Sequence, residues 1–199
     1  MNLPNQLTVL RILLTPAFAA VFFIDSVWGK LGALAISLAC ELTDLLDGIL
    51  ARRMNLITDF GKLVDPLADS MSRFTFALCL VMAGWGDLWM ILVLFYRDSL
   101  VASLRVFSAA HSIVMAARSS GKVKAIFQFI VINLVLIFVV TEAWIVRRGA
   151  PIDLGGLVVN SELLHRSGWW AMVIMAAVTG LSGVDYIIGA RQVLRKLRL

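Results

Sequence analysis

Residues 44–69 read DLLDGILARRMNLITDFGKLVDPLAD, and this stretch decides how the chain is interpreted. Asp44, Asp47, Asp65 and Asp69 fall here within a chain that is otherwise strongly apolar. The first pair is spaced by three residues and the second by four, so on helices each pair lies on one face. A short connection between the two helices would bring all four carboxylates together at one end of a helical hairpin.

Composition places this hairpin in a membrane. The chain has 199 residues, of which 60% are hydrophobic and 16% charged, and its mean hydropathy is +0.90. A soluble domain is typically about 45–50% apolar and about 25% charged. We therefore expect an all-α integral membrane protein with a single domain over residues 1–199. The net charge of +5 is interpreted as membrane topology rather than as nucleic-acid binding.

Long apolar runs predict six transmembrane helices, since about 20 apolar residues cross a bilayer. The predicted spans are 7–27, 31–53, 61–83, 87–110, 122–146 and 168–190. The longest predicted loop covers 147–168. Residues 1–6 carry no Lys or Arg, so the first span is expected to be a retained helix rather than a signal peptide.

The distribution of Lys and Arg predicts the orientation, because cytosolic loops are enriched in positive charge. Six spans put both termini on one side, and that side carries eleven cations against four on the other. The eleven are Arg11, Arg52, Arg53, Lys62, Arg118, Lys122, Lys124, Arg191, Arg195, Lys196 and Arg198. Both termini and the connection between the aspartate pairs are therefore predicted to be cytosolic.

Four carboxylates near apolar spans are costly enough to require a partner. Each carboxylate deep in a bilayer costs about 2.5–3.5 kcal/mol, so four approach about 10 kcal/mol without compensation. Two divalent cations would balance four aspartates, and a set of oxygen ligands favours Mg²⁺ or Mn²⁺ over zinc. Two metal ions held together are suited to phosphoryl or phosphodiester transfer.

The same stretch resembles the signature of the CDP-alcohol phosphotransferases. That signature is D-x-x-D-G-x-x-A-R, eight residues, then G-x-x-x-D-x-x-x-D, and the resemblance extends to the six predicted spans. It matches this chain at Asp44, Asp47, Gly48, Ala51, Arg52, Gly61, Asp65 and Asp69. The resemblance implies a membrane enzyme that moves a phospho-substituted group from a CDP-linked donor to an alcohol and releases CMP.

The resemblance also implies roles for individual positions. Asp44, Asp47 and Asp65 would hold the two metal ions, and Asp69 would complete the metal site and act as general base on the acceptor hydroxyl. The positions assigned to the donor's cytidine diphosphate are Gly48, Ala51, Arg52, Thr58 and Gly61. A homodimer is expected on the same ground.

Three further stretches resemble the phosphatidylglycerol-phosphate synthase branch, which uses CDP-diacylglycerol and glycerol 3-phosphate. They are NLPNQLTVLR at 2–11, Arg97-Asp98 with Ser103-Leu104-Arg105, and GKVKAIFQ at 121–128. A phosphorylated acceptor needs cationic partners. The candidates are Arg97, Arg105, Arg118, Lys122 and Lys124. Ser70, Asp98 and Ala125 depart from the usual residues of that branch, so inositol phosphate or serine stays open as the acceptor.

The same cations and carboxylates allow other interpretations. Arg97 and Arg105 could each pair with Asp98 or extend to the interface, and Lys122 and Lys124 could be ordinary cytosolic anchors. A small cation or proton transporter would also carry intramembrane carboxylates, but usually distributed in depth and with repeated halves. A non-catalytic scaffold would not require every aspartate of the signature.

Overall fold

The computed structural model describes the backbone of residues 3–53, 59–110, 119–153, 155 and 158–196. Within these ranges it describes all side chains except those of 3–4, 45, 47–53, 59–63, 109–110, 119 and 192–196. The described part contains six helices: α1 (Leu3–Phe22), α2 (Val27–Arg53), α3 (Asp59–Met82), α4 (Leu88–Ala110), α5 (Ser119–Arg148) and α6 (Ser161–Lys196). A two-residue antiparallel pair, β1 (Ile152–Asp153) with β2 (Val158–Val159), lies between α5 and α6. The protein is thus essentially all-α, as predicted.

Local capping corrects two of the predicted boundaries. α1 ends at Phe22, five residues before the predicted end of the first span, and Ser26 then caps α2 by accepting a hydrogen bond from the Gly29 amide at 3.0 Å. Asn160 likewise caps α6 through the Leu163 amide at 2.8 Å, so α6 begins within the segment predicted to be a loop. An Asn-Ser pair before an apolar run is an N-cap signal that the hydropathy pattern conceals.

Three of the described helices contain a stretch that is long and apolar enough to cross a membrane: Asn5–Phe22, Ser120–Arg148 and Ser161–Arg191. α2, α3 and α4 have 27, 24 and 23 residues, so length does not distinguish them. Within the described residues they differ because charged side chains, among them Glu41, Asp69 and Arg97, interrupt their apolar stretches. α6 has 36 residues and is about 54 Å long at 1.5 Å per residue, so it exceeds the hydrocarbon thickness of about 30 Å.

The helices form two groups of three that pack against each other. α1 packs against both α2 and α3, and α6 packs against both α4 and α5. α2 against α5, with α3 against α4 and α5, joins the groups. α2 and α3 are consecutive but contact each other little, since α1 lies against both. α1 is thus the common partner in the first group, and α6 is the common partner in the second.

A close packing contact lies at the end of the bundle away from the aspartates. Trp85 follows the turn at Gly84 (φ +84°) and is 2% exposed. Its ring lies so close to Gly168 of α6 that a Cβ there would be 2.6 Å from the indole. This close approach explains glycine at position 168 and ties the end of α3 to the start of α6.

Buried hydrogen bonds between helices join the bundle at mid-depth. Ser37 of α2 donates to Asn133 of α5 at 3.1 Å, and Gln128 of α5 donates to Thr179 of α6 at 3.1 Å. Hydrogen bonds of this kind contribute about 0.6 kcal/mol each on average in a membrane protein. They set the rotation of α5, which carries Lys124 one turn from Gln128.

Candidate functional site

Helix geometry places the aspartate pairs at the adjoining ends of α2 and α3. Asp44 and Asp47 lie in the last three turns of α2, and Asp65 and Asp69 lie in the first three turns of α3. The helices extend through both pairs, so the predicted spacings of three and four residues do put each pair on one helical face. The side chain of Asp47 is outside the described residues.

Arg11 of α1 joins the two halves of the aspartate set. Its Nη1 lies 2.9 Å from Asp44 Oδ1 on α2 and forms a short hydrogen bond to Asp69 Oδ1 on α3. The residue is 1% exposed, so the guanidinium is fully enclosed. Asp44 and Asp69 therefore meet at one buried cation from a third helix, and a side-chain hydrogen bond also joins the two carboxyl groups directly.

α1 and α3 are connected by a ladder of polar contacts. Thr8 Oγ1 donates to Asp65 Oδ1 at 2.6 Å, Arg11 bonds Asp69, and Thr15 and Ser72 hydroxyls lie 3.0 Å apart. The partners increase in number together along both helices, so α1 and α3 run parallel. Each rung is about one helical turn from the next, which keeps all the contacts on one face of each helix.

Arg73 contacts the other oxygen of Asp69. Its Nη2 lies 3.3 Å from Asp69 Oδ2, and its Nε lies 3.9 Å from Glu41 Oε1 on α2. Both carboxylate oxygens of Asp69 therefore face a guanidinium. A partly open cavity of about 10 Å³ lies here, and its volume is close to the space that one water molecule needs. It is lined by Arg11, Cys40, Glu41, Asp44, Asp69, Ser72 and Arg73.

A second charged cluster connects α4, α5 and α6. Asp98 accepts hydrogen bonds from Lys124 Nζ at 2.7 and 2.9 Å and from Arg97 Nη1 at 2.9 Å. Arg97 Nη2 also donates to Ser182 of α6 at 2.8 Å. Lys124 is 4% exposed. Two of the cations predicted to bind the acceptor phosphate are thus paired with a carboxylate inside the bundle.

The remaining predicted acceptor cations differ in position. Arg105 is exposed, and its Nε donates to the buried Tyr186 hydroxyl at 3.3 Å. Lys122 is exposed on the first turn of α5. Arg118 lies outside the described residues. On α6, Asp185 accepts a hydrogen bond from Ser120 at 2.6 Å. The helix thus presents the Asp185 carboxylate to α5 and the Tyr186 hydroxyl to α4.

The two charged clusters are neighbours. Lys124 lies within electrostatic range of Arg73, across the contact of α3 with α5. Arg73 in turn contacts Asp69. A path of charged groups therefore runs from the aspartates on α2 and α3 to Asp98 on α4. The arrangement suits a reaction between two anionic substrates that must be brought side by side.

The comparison with known proteins agrees with this arrangement. The family model described as CDP-alcohol phosphatidyltransferase matches residues 1–181. The chain belongs to the CDP-alcohol phosphatidyltransferase family. The match covers the aspartate signature and all but the end of α6, and it confirms the family resemblance seen in residues 44–69.

Bacterial members of the family are similar over most of the chain. A Rickettsia bellii relative is 34% identical over 182 residues, which cover 91% of this chain and 92% of the relative. A Bacillus subtilis relative is 35% identical over 149 residues, covering 68% and 77%, and an Escherichia coli K12 relative is 33% identical over 138 residues, covering 65% and 73%. Each of the three is named CDP-diacylglycerol–glycerol-3-phosphate 3-phosphatidyltransferase.

The donor atoms of the family's aspartate signature are compatible with a hard divalent cation. Among the described side chains, no three Asp, Glu, His or Cys are close enough to form a metal site by themselves. Asp47 is not among those side chains. Asp44 and Asp69 nevertheless present their oxygens to a shared buried cation and to a cavity of water size. Carboxylate oxygens around such a position fit Mg²⁺ or Mn²⁺.

Some predicted site residues are described only as backbone, and others were missed. Gly48, Ala51 and Arg52 lie on α2 and Gly61 on α3, whereas Thr58 lies outside the described residues. Prediction from sequence missed Thr8 and Arg11 as site residues. The available signal was the spacing of Thr8, Arg11 and Thr15 along one face of an apolar helix, which a count of charges does not use.

Proposed function

We propose that the protein transfers the phosphatidyl group of CDP-diacylglycerol to glycerol 3-phosphate and releases CMP, a step of phospholipid biosynthesis. The observation that carries the proposal is the convergence of the signature carboxylates Asp44 and Asp69 on one small polar cavity. The names of the bacterial relatives supply the acceptor, which agrees with the one predicted from the NLPNQLTVLR and GKVKAIFQ stretches.

Asp44, Asp47, Asp65 and Asp69 would hold two Mg²⁺ or Mn²⁺ ions. When bound, the ions would stabilise negative charge on the phosphates of the donor. Thr8 orients Asp65 through its hydrogen bond, and Arg73 orients Asp69 through its ion pair. Outer residues of this kind typically change metal affinity or activity by about 10–100-fold when removed.

Asp69 would accept the proton from the acceptor hydroxyl. The hydroxyl oxygen then forms a bond to the lipid-side phosphorus, the bond from that phosphorus to the CMP oxygen breaks, and CMP leaves. The proton stays on Asp69 Oδ1 or Oδ2 until solvent removes it. Gly48, Ala51, Arg52, Thr58 and Gly61 would contact the cytidine diphosphate on the adjoining ends of α2 and α3.

The acceptor phosphate would bind between α4, α5 and α6. The candidates remain Arg97, Arg105, Arg118, Lys122 and Lys124. Arg97 and Lys124 share Asp98, so this trio carries one net positive charge. The exposed Arg105 and Lys122 would add cations at the entrance to it. Proximity of Lys124 to Arg73 supports an acceptor site beside Asp69.

The membrane arrangement belongs to the same proposal. All six helices would span a bacterial cytoplasmic membrane, with both termini and the aspartates on the cytosolic side. The donor's acyl chains would remain in the bilayer while its headgroup reaches the ends of α2 and α3. The protein would act as a homodimer, as the family resemblance implies.

CMP release by the purified protein tests the proposal. CDP-diacylglycerol and Mg²⁺ are supplied with glycerol 3-phosphate, inositol 1-phosphate, serine or no acceptor in parallel. We expect release only with glycerol 3-phosphate, and we expect Asp69→Asn to reduce it by at least about 10²-fold because proton acceptance is lost.

Each contrary result has a distinct meaning. Release with another acceptor would overturn the acceptor while leaving the family chemistry in place. Full activity of Asp69→Asn would overturn its role as the base. No release with any acceptor would overturn the proposed reaction.

A further inference from the structure

A buried cation contacts oxygens of two of the four carboxylates assigned to the metal, those of Asp44 and Asp69. Arg11 Nη1 bonds Oδ1 of both Asp44 and Asp69, and Arg73 takes the remaining oxygen of Asp69. Arg11 comes from α1, whereas the family signature lies wholly on α2 and α3. Its side chain is enclosed, so it has no direct access to solvent in this arrangement.

A guanidinium and a divalent cation compete for these oxygens. Mg²⁺ requires oxygen ligands at about 2.0–2.1 Å in a near-octahedral arrangement. A guanidinium hydrogen bond to the same lone pairs would bring two like charges within a few Å, where their repulsion in a partly buried site is strong. Arg11, which contacts both Asp44 and Asp69, therefore opposes the binding of a metal to this pair.

We propose that Arg11 is the resident counter-ion of the Asp44–Asp69 pair and is exchanged for the divalent metal when the site is loaded. Arg11 holds the two carboxylates together before the metal arrives, and it is a positioning residue because it acts through them. This inference rests on the metal site of the proposed function. It adds a competitor: Arg11 weakens metal binding even though it stabilises the metal-free protein.

The sign of an affinity change separates this role from simple scaffolding. If Arg11 competes with the metal, Arg11→Met binds the metal more tightly, since the repelling charge is gone. If Arg11 only positions the carboxylates, Arg11→Met binds it more weakly. The same variant lowers the thermal midpoint of the metal-free protein, because two carboxylates lose their buried partner.

The experiment compares Mn²⁺ binding by electron paramagnetic resonance titration with thermal unfolding, using purified full-length protein in lipid nanodiscs. For Arg11→Met we expect Mn²⁺ dissociation constants lower by on the order of tenfold, which corresponds to 1.4 kcal/mol. We expect its metal-free midpoint to fall by about 10 °C and saturating Mn²⁺ to restore most of that loss. Arg11→Lys keeps the charge on a shorter stem, so its affinity should change less and in the same direction.

Lys30→Met provides a matched control. Lys30 is a partly buried cation on α2 that donates to the Phe22 carbonyl at 2.6 Å and lies 4.8 Å from the Phe22 ring centroid. It is 14 residues, or about 21 Å along the helix, from Asp44. Its loss should lower the midpoint equally with and without Mn²⁺ and leave the dissociation constant unchanged.

The outcomes distinguish a failure of this inference from a failure of the proposed function on which it rests. Unchanged or weaker Mn²⁺ binding by Arg11→Met would overturn the exchange while leaving the metal site in place. A wild-type protein that binds no Mn²⁺ would overturn the metal site, and the exchange with it. If Arg11→Met fails to fold, weaker binding by Arg11→Lys would be the contradicting result.

Discussion

Asp98 accepts hydrogen bonds from two cations that the sequence assigned to a phosphate. Lys124 and Arg97 both bond its carboxylate, so one of the open alternatives, pairing of Arg97 with Asp98, is present in the structure. The pairing is compatible with a phosphate site, because the trio retains one net positive charge. At the residue scale, Arg97 and Lys124 would therefore bind two anions, the Asp98 carboxylate and the acceptor phosphate.

Asp98→Asn tests this relation by removing the internal anion. We expect the free energy of unfolding to fall by about 3 kcal/mol, because two partly buried cations lose their carboxylate. Glycerol 3-phosphate should then raise the thermal midpoint of the variant more than that of the wild type, since its phosphate replaces the lost charge. Thermal unfolding with glycerol 3-phosphate, and with glycerol as the uncharged control ligand, measures both effects.

Equal midpoint shifts for wild type and Asp98→Asn would contradict the acceptor site between α4, α5 and α6. A larger shift with glycerol than with glycerol 3-phosphate would contradict the involvement of the phosphate group.

At the scale of elements, α1 is part of the candidate active site rather than a membrane anchor alone. It lies against both α2 and α3 and presents Thr8, Arg11 and Thr15 to α3 on one face. The parallel ladder fixes the axial register of the two helices, because slipping by one turn would separate every polar pair. Register of α1 thus sets where Asp65 and Asp69 sit relative to Asp44.

Two isosteric substitutions on α1 distinguish a contribution to activity from a contribution to stability alone. Thr8→Val removes the hydrogen bond to Asp65, and Thr15→Val removes the hydroxyl contact with Ser72 one turn beyond the carboxylates. Each should lower the free energy of unfolding by about 1 kcal/mol. Only Thr8→Val should also reduce CMP release, by about tenfold or more, because Asp65 loses its orienting partner.

Rates of CMP release and thermal midpoints, measured for both variants, test this difference between Thr8 and Thr15. Similar losses of activity in the two would show that α1 contributes packing alone. An active Thr8→Val would remove Thr8 from the site.

At the scale of the whole molecule, charge separates the two ends of the bundle. The aspartates and the Asp98 cluster lie toward the adjoining ends of α2 with α3 and the start of α5, whereas Trp85 and Gly168 pack at the other end. Eleven of the chain's cations belong to the predicted cytosolic side. This polarity is the physical basis for the proposed orientation.

Cysteine labelling tests the orientation in intact cells. The native Cys40 and Cys79 are buried and are first replaced by alanine. Ala150→Cys, in the exposed turn after α5, should react with a membrane-impermeant maleimide without permeabilisation. Leu199→Cys should react only after permeabilisation. The reverse pattern would contradict cytosolic termini, and labelling of both sites in intact cells would contradict a single span, α6, between residues 150 and 199.

The family and the helical content could be predicted from local pattern. A fixed spacing of aspartates, glycines and Arg52 within residues 44–69 identifies the family, as the match over residues 1–181 confirms. Apolar runs locate all six helices, because hydropathy and helix length depend on neighbouring residues alone. The predicted start of the last helix at residue 168 was wrong, because α6 begins at Ser161 after a cap, and a cap is a single hydrogen bond that an averaged hydropathy does not detect.

The sequence by itself determined the family and that the signature carboxylates lie on helices, as their positions on α2 and α3 confirm. Only the tertiary structure decided what neutralises them and how they are oriented. Arg11 is 33 residues from Asp44 and 58 from Asp69 along the chain, and Asp98 is 26 from Lys124. Such pairings depend on helix packing and rotation, and no local pattern encodes them because each partner is compatible with several faces until the helices meet.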